Sequence, residues 1–149
     1  MNNLTRQSLD GLLMKLDDGR VMKLARKALQ AGAVVLRDET QRQLLDLPNG
    51  AAFDSAVAHP GWGTSPVDGV RIGRDKFADA GYFVHIMGDP RLWWTENGSQ
   101  PGRTTRKGMN RGQMPAAHFF ASAVETVQGR MASRIAEVFS REIDKWNRE

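Results

Sequence analysis

The chain contains no cysteine. Disulfides, thiolate catalysis and thiolate metal ligation are therefore excluded. Histidine is scarce as well: His59, His85 and His118 lie in different segments, and none has a metal-ligand neighbour at helical or hairpin spacing. His85, inside a β-rich run, reads as a packed or surface histidine rather than a base. No apolar run approaches the roughly 20 residues that span a bilayer, and the opening MNNLTRQSLDG lacks a charged-then-apolar signal pattern. A cytosolic origin is the expectation. Nucleophile elbows, Walker loops and dinucleotide glycine patterns are all missing. Gly98-Ser99-Gln100-Pro101-Gly102 has the look of a phosphate loop, but it lacks the Gly-Lys-Ser/Thr ending and does not run directly into a helix.

What is present fits one domain spanning residues 1–149 with one hydrophobic core. Lys and Arg number 21 against 17 Asp and Glu, a net charge of +4. That balance favours acidic surfaces or nucleic acid without requiring either. Apolar residues recur at helical spacing after Asp17-Asp18, through Val21, Leu24, Ala25, Ala28, Gly32, Val35 and Leu36. This predicts a long helix, capped by Asp17 or Asp18 and ending near Leu45, before Pro48-Asn49-Gly50. Ala31-Gly32-Ala33 is a small-residue patch against which another element can approach closely. Residues 1–17 form an arm or a short helix over Leu9–Leu16.

Residues 48–68 hold no period and read as a long loop. Loops of that length generally bind something or stay unstructured. Trp62 sits in it, between Gly61 and Gly63, either tucked onto the domain or awaiting a partner. Three strands are expected next, over Gly69–Arg74, Tyr82–Met87 and Arg91–Thr95, with turns at Asp75–Gly81 and Gly88-Asp89-Pro90. The shorter turn favours an antiparallel hairpin between the second and third strands. As adjacent strand residues, Trp93 and Trp94 would point to opposite faces, Trp93 to the core and Trp94 outward. A final helix of about thirty residues, ~45 Å long, should start near Pro115. Its seam runs through Phe120, Val124, Val127, Met131, Ile135, Val138, Glu142 and Trp146. Its C-terminal half would extend beyond the core. The fold class is α+β: long N- and C-terminal helices on a small, mostly antiparallel sheet, with long loops at 48–68 and 97–114.

Between Glu96 and Glu125 there is no acidic residue. Arg103, Arg106, Lys107 and Arg111 stand there among glycines. Such a loop suits phosphate contacts, free solvation, or ordering against acidic surfaces of neighbouring subunits; composition does not separate the three. Glu96 is the only acid close to the tryptophans and has no partner carboxylate for hydrolysis, while Asp75, Asp79 and Asp89 lie in expected turns. A carboxylate there suits bonding of loop N–H groups or of a neighbour's arginine.

The order of motifs carries a resemblance. Trp94-Thr95-Glu96-Asn97-Gly98-Ser99, a loop, and then Met114-Pro115-Ala116-Ala117-His118-Phe119-Phe120 opening the last helix resemble the neck proteins of long-tailed bacteriophages. These are the gene-product-ten-like tail-component or head–tail joining family. Its last strand ends in aromatic-Glu-aromatic-Gly-Thr. Here Glu96 and Gly98 match, Asn97 takes the second aromatic position and Ser99 replaces threonine. Pro115, Phe119 and Phe120 match the helix-opening segment, and Ala123 corresponds to a small residue that follows. The pattern covers Val21 to Ala136. It departs at Leu47-Pro48-Asn49-Gly50-Ala51-Ala52, where the family shows Pro-x-x-Thr-Gly-x-Leu.

The resemblance implies no catalysis, no cofactor and a virion protein assembled in the host cytoplasm. Its partners would be copies of itself in a ring, hexameric by expectation or dodecameric on the portal side. Adaptor or head-closure, tail-terminator or tail-tube proteins would flank it. DNA would pass through the lumen without specific binding, and no membrane is involved. The residues expected at interfaces are Trp62, Trp94, Glu96, Arg103, Arg106, Lys107, Arg111 and Trp146. Two other readings stand beside it: a nonspecific nucleic-acid-binding module using the 103–111 loop, and an enzyme built on Glu96.

Overall fold

A computed structural model describes residues 18–50, 53, 65–99, 102, 104–110 and 112–149. Helix α1 spans Asp18–Leu45, as its apolar period predicts. A 3-10 turn at Val67–Gly69 leads into strand β1, Arg71–Arg74, which pairs antiparallel with β2, Tyr82–His85. Arg71 faces His85 and Arg74 faces Tyr82. Helix α2, Pro90–Asn97, follows, and helix α3 covers Phe119–Trp146. Asp17, Trp62, Arg103, Arg111 and the Leu9–Leu16 segment lie outside the described residues.

Two sequence expectations are corrected. The third strand is helix α2, so the sheet has two strands among the described residues and the hairpin joins the first and second of those expected. The physical reason is local. Asp89 is an N-cap whose side chain accepts the Arg91 N–H, and Pro90 occupies the first helical position, where its missing N–H costs nothing. The last helix begins at Phe119, not near Pro115, because the N–H groups of Ala117 and His118 donate to the carbonyls of Thr95 and Glu96 rather than to a helix of their own.

Helix α1 lies between α3 and the hairpin, and its longest contact is with α3. The two 28-residue helices each run ~42 Å. They are antiparallel in a constant register. From the Arg20–Glu149 pair to Lys27–Glu142 one number rises by seven as the other falls by seven. The same trade continues through Glu39–Arg130 to Gln43–Thr126. The C-terminal half of α3 therefore follows α1 instead of extending beyond the core. Glu142, the break in the apolar seam, accepts from Lys27 at 2.7 Å and Lys145 at 3.2 Å, which together hold its carboxyl below the usual range.

Exposed pairs of this kind contribute about 0–1 kcal/mol each, so packing sets the register. Ala28, Ala33, Ala123, Val127 and Val138 are buried along the seam. At Gly32 a Cβ would lie 2.8 Å from Ile135 and 3.2 Å from Met131, which is the close approach the small-residue patch predicts. The seam also holds one buried charge. Glu39 is 5% exposed and accepts from Arg42, Gln43 and Arg130. Beyond the seam, Leu44, Val70, Ile86, Leu92 and Phe119 close a core where the end of α1, the hairpin, α2 and the start of α3 meet.

Substituting Gly32→Leu forces the helices apart and should cost about 1–3 kcal/mol, read as a lower midpoint in denaturant; an unchanged midpoint would contradict the close approach. Glu39 gives a pH test. Hydrogen bonds from Arg42 first, and then from Gln43, bring its pKa from 4.5 to about 2. The folded pKa is depressed, so the stabilisation is complete above pH 4.5 and is lost as pH falls toward 2. Glu39→Gln should lower stability at pH 7 by roughly 1–2 kcal/mol and flatten the acid limb. Parallel acid limbs for both proteins would show that Glu39 does not titrate in this way.

Candidate functional site: a capped joint beneath an exposed aromatic face

Helix α2 is short enough for each side chain to have a traceable task. Asp89 is fully buried. Its carboxylate accepts the Arg91 backbone N–H at 2.9 Å and a fork from the same guanidinium, Nε at 2.9 Å and Nη2 at 2.5 Å. That fork holds the Arg91 pKa above its ordinary value. Leu92, Thr95 and Glu96 fall at i, i+3 and i+4 and face inward.

Glu96 then reaches the start of α3. His118 stands at the N-cap in the left-handed region, φ 51°, and makes no capping bond with its side chain. The Glu96 carboxylate supplies the cap from a different helix. Oε2 accepts from Phe120 N at 2.8 Å and Oε1 from Ala121 N at 3.1 Å. A carboxylate suits that position because its charge meets the positive end of the helix dipole. The main chain reinforces the joint: Ala117 N donates to Thr95 O at 2.9 Å and His118 N to Glu96 O at 3.2 Å. Gly98 ends α2 with φ 74°, and a Cβ there would stand 2.6 Å from the Met114 carbonyl oxygen. Only glycine meets both conditions. Glu96 and Gly98, which carry the aromatic-Glu-x-Gly pattern, thus both serve a junction inside this chain. Glu96, expected at a contact surface, is buried with both oxygens engaged.

The opposite side of α2 is apolar and open. Trp93 is 51% exposed and Trp94 45%. The expectation that Trp93 faces the core fails because successive helical residues diverge by ~100°, not by the half-turn of a strand. Both indoles therefore stay on the outer side. Met87 and Met114 are exposed with them. Trp94 is the wall between two depressions. One, about 240 Å³, is lined by Met87, Asp89, Pro90, Trp93 and Trp94. The other, about 490 Å³ and mostly apolar, runs from Leu47 and Pro48 past Trp94 to Met114–Ala117.

The basic loop springs from the rim of this groove. Ser99 and Met114 pin its base: Ser99 N donates to Met114 O at 2.9 Å, and Met114 N to Ser99 Oγ at 2.7 Å. A bridge between Thr104 and Asn110 narrows it, and Thr105 ties down Gly108 and Met109. Arg106 and Lys107 are exposed at its tip. Trp146, by contrast, is partly buried on the last turn of α3, ~40 Å along that helix from Phe119. The structure therefore brings Trp94, Arg106 and Lys107 to one end of the molecule and leaves Trp146 at the other. Sequence reasoning missed Met87, Trp93 and Met114 as surface residues. The signal was Asp89-Pro90, an N-cap followed by a first-turn proline, which makes the segment a helix and turns both tryptophans outward.

No group of His, Asp or Glu among the described residues is arranged to hold a metal ion. His85 Nδ1 accepts the Met87 N–H at 3.3 Å, within its own strand end. No described helix is long and apolar enough to cross a membrane. No family model, curated protein or solved structure matches the chain.

Removing the cap separates its role from that of a reactive carboxylate. Glu96→Ala should destabilise the fold by about 1–2 kcal/mol, the range of a lost helix N-cap, and speed amide exchange at Phe120 and Ala121. Glu96→Gln keeps one acceptor oxygen and should lose less. Unchanged exchange at those two amides in Glu96→Ala would contradict the cap.

Proposed function

We propose that this protein is a structural subunit of a tailed-phage head–tail junction, a neck or tail-completion component that assembles into a ring. The observation that carries the reading is the aromatic face of α2: two half-exposed tryptophans and two methionines set on a rigid, internally capped joint. Exposed apolar patches of this kind mark interaction sites, and tryptophan is among the side chains most favoured as a binding anchor. Both oxygens of Glu96 are taken up by backbone N–H groups, which favours scaffolding over carboxylate catalysis. The resemblance in motif order points the same way. A sixfold ring is the expected assembly, with a twelvefold ring the alternative. The basic loop would lie against acidic surfaces of neighbours or face the lumen, where its charge tolerates passing DNA without gripping bases. The protein would reside in the neck or tail of the virion.

One observation favours a second reading. Arg106 and Lys107 project at an exposed tip, and Arg37, Arg71 and Arg74 line a cleft between α1 and the hairpin. A sequence-nonspecific nucleic-acid-binding module would use such charges through phosphate contacts.

Sedimentation and native mass measurement of the full chain, alone and co-expressed with the products of adjacent structural genes, test the proposal. A closed oligomer is expected, and Trp94→Ala should shift it at least tenfold toward monomer. A chain that stays monomeric in both settings, yet binds duplex DNA with a steep salt dependence, would replace the first reading with the second.

A further inference from the structure

The β1–β2 turn carries the most exposed large apolar side chain among the described residues. Phe77 is fully exposed. It is not on a slack loop. Asp75 N donates to Gly81 O at 2.9 Å, which closes the turn, and Asp75 Oδ1 accepts the Phe77 N–H at 2.9 Å, which turns the ring outward. Arg26 Nε, donating to Asp79 O at 3.1 Å, fixes the turn against α1. A solitary exposed phenylalanine is ordinary. One held outward by a preorganised turn offers a contact with little ordering cost.

The complementary shape is on the same chain. The groove beside Trp94 is apolar, about 490 Å³, and large enough for an aromatic ring. Its rim bears the loop of Arg106 and Lys107, in a segment without acidic residues from Asn97 to Val124. The turn around Phe77 reads Asp75-Lys76-Phe77-Ala78-Asp79, net negative. An acidic, aromatic projection thus faces the description of a basic-rimmed, apolar socket.

The two cannot meet within one molecule. Arg26 anchors the turn near the start of α1, while Leu47 and Pro48 line the groove just past its end. From Arg26 to Leu45 the helix covers about 29 Å, and α3 splints it along its length. We infer that the occupant of the Trp94 groove is Phe77 of a second copy of this chain, in a head-to-tail contact. Such a contact uses different patches on each partner and generates a ring if the rotation closes. The inference rests on the ring-forming reading above and specifies which surfaces would join.

The absence of cysteine makes the test clean. Phe77→Cys and Ala116→Cys are each made in the otherwise cysteine-free chain; both positions are exposed. The two proteins are mixed under mild oxidation, and non-reducing electrophoresis reads the products. A disulfide requires Cα atoms ~4.4–6.8 Å apart, so a mixed dimer that forms only when both are present supports the contact. In parallel, Phe77→Ser should weaken self-association about tenfold or more while leaving the melting temperature of the subunit unchanged. An oligomer of normal size with no mixed disulfide and no effect of Phe77→Ser overturns this contact while the ring reading survives. A dimer of Phe77→Cys with itself overturns it in favour of a symmetric contact. A monomer at all concentrations overturns both.

Discussion

One carboxylate holds the molecule's two halves in their relation to each other. Glu96 leaves the end of α2 and closes the open N-terminus of α3, where His118 offers no side-chain cap. The main chain runs antiparallel past the same point, through the bonds from Ala117 and His118 back to Thr95 and Glu96. With that joint closed, Leu92 and Phe119 meet in the core with Leu44, Val70 and Ile86. The inner side of α2 is then fully committed, and whatever lies on its other side must face outward. The exposure of Trp93 and Trp94 follows from the cap and the helical period together.

The long helices supply the rigidity behind this joint. Their register is held by close packing at Gly32 and by one buried acid, Glu39, while the exposed ion pairs along the seam add little. A straight α1, backed by α3 on one side and the hairpin on the other, separates the Phe77 turn from the Trp94 groove by a fixed span. A subunit with distinct features at opposite ends suits head-to-tail association better than self-complementary pairing.

Much of this was legible in the sequence, and the parts that were not share a cause. The 3.6-residue period over Val21–Leu36 and Phe120–Val138 gave both long helices, because long amphipathic patterns overdetermine the element. Gly32 announced its close approach for the same reason. The short segment Arg91–Thr95 misled. Over five residues, β-favouring tryptophans outweigh a periodicity too brief to read, and the deciding information lay just upstream, in Asp89 as N-cap and Pro90 as first helical residue. The start of α3 was placed early because Pro115 permits a helix start without compelling one. The actual start is set by bonds from residues some twenty positions away, which no local pattern shows. Glu96 was singled out for its isolation among the tryptophans, and its partners proved to be backbone groups of a segment that periodicity alone could not bring beside it.

The central claim is that the internally capped joint presents the face of α2 for assembly. Hydrogen–deuterium exchange of the full chain at dissociating and at assembling concentrations addresses it directly. The account predicts added protection on assembly in residues 87–95 and 112–117, with the amides of Phe120 and Ala121 equally protected in both states by the Glu96 cap. Assembly that leaves residues 87–95 and 112–117 unprotected, or that is needed before Phe120 and Ala121 become protected, would contradict it.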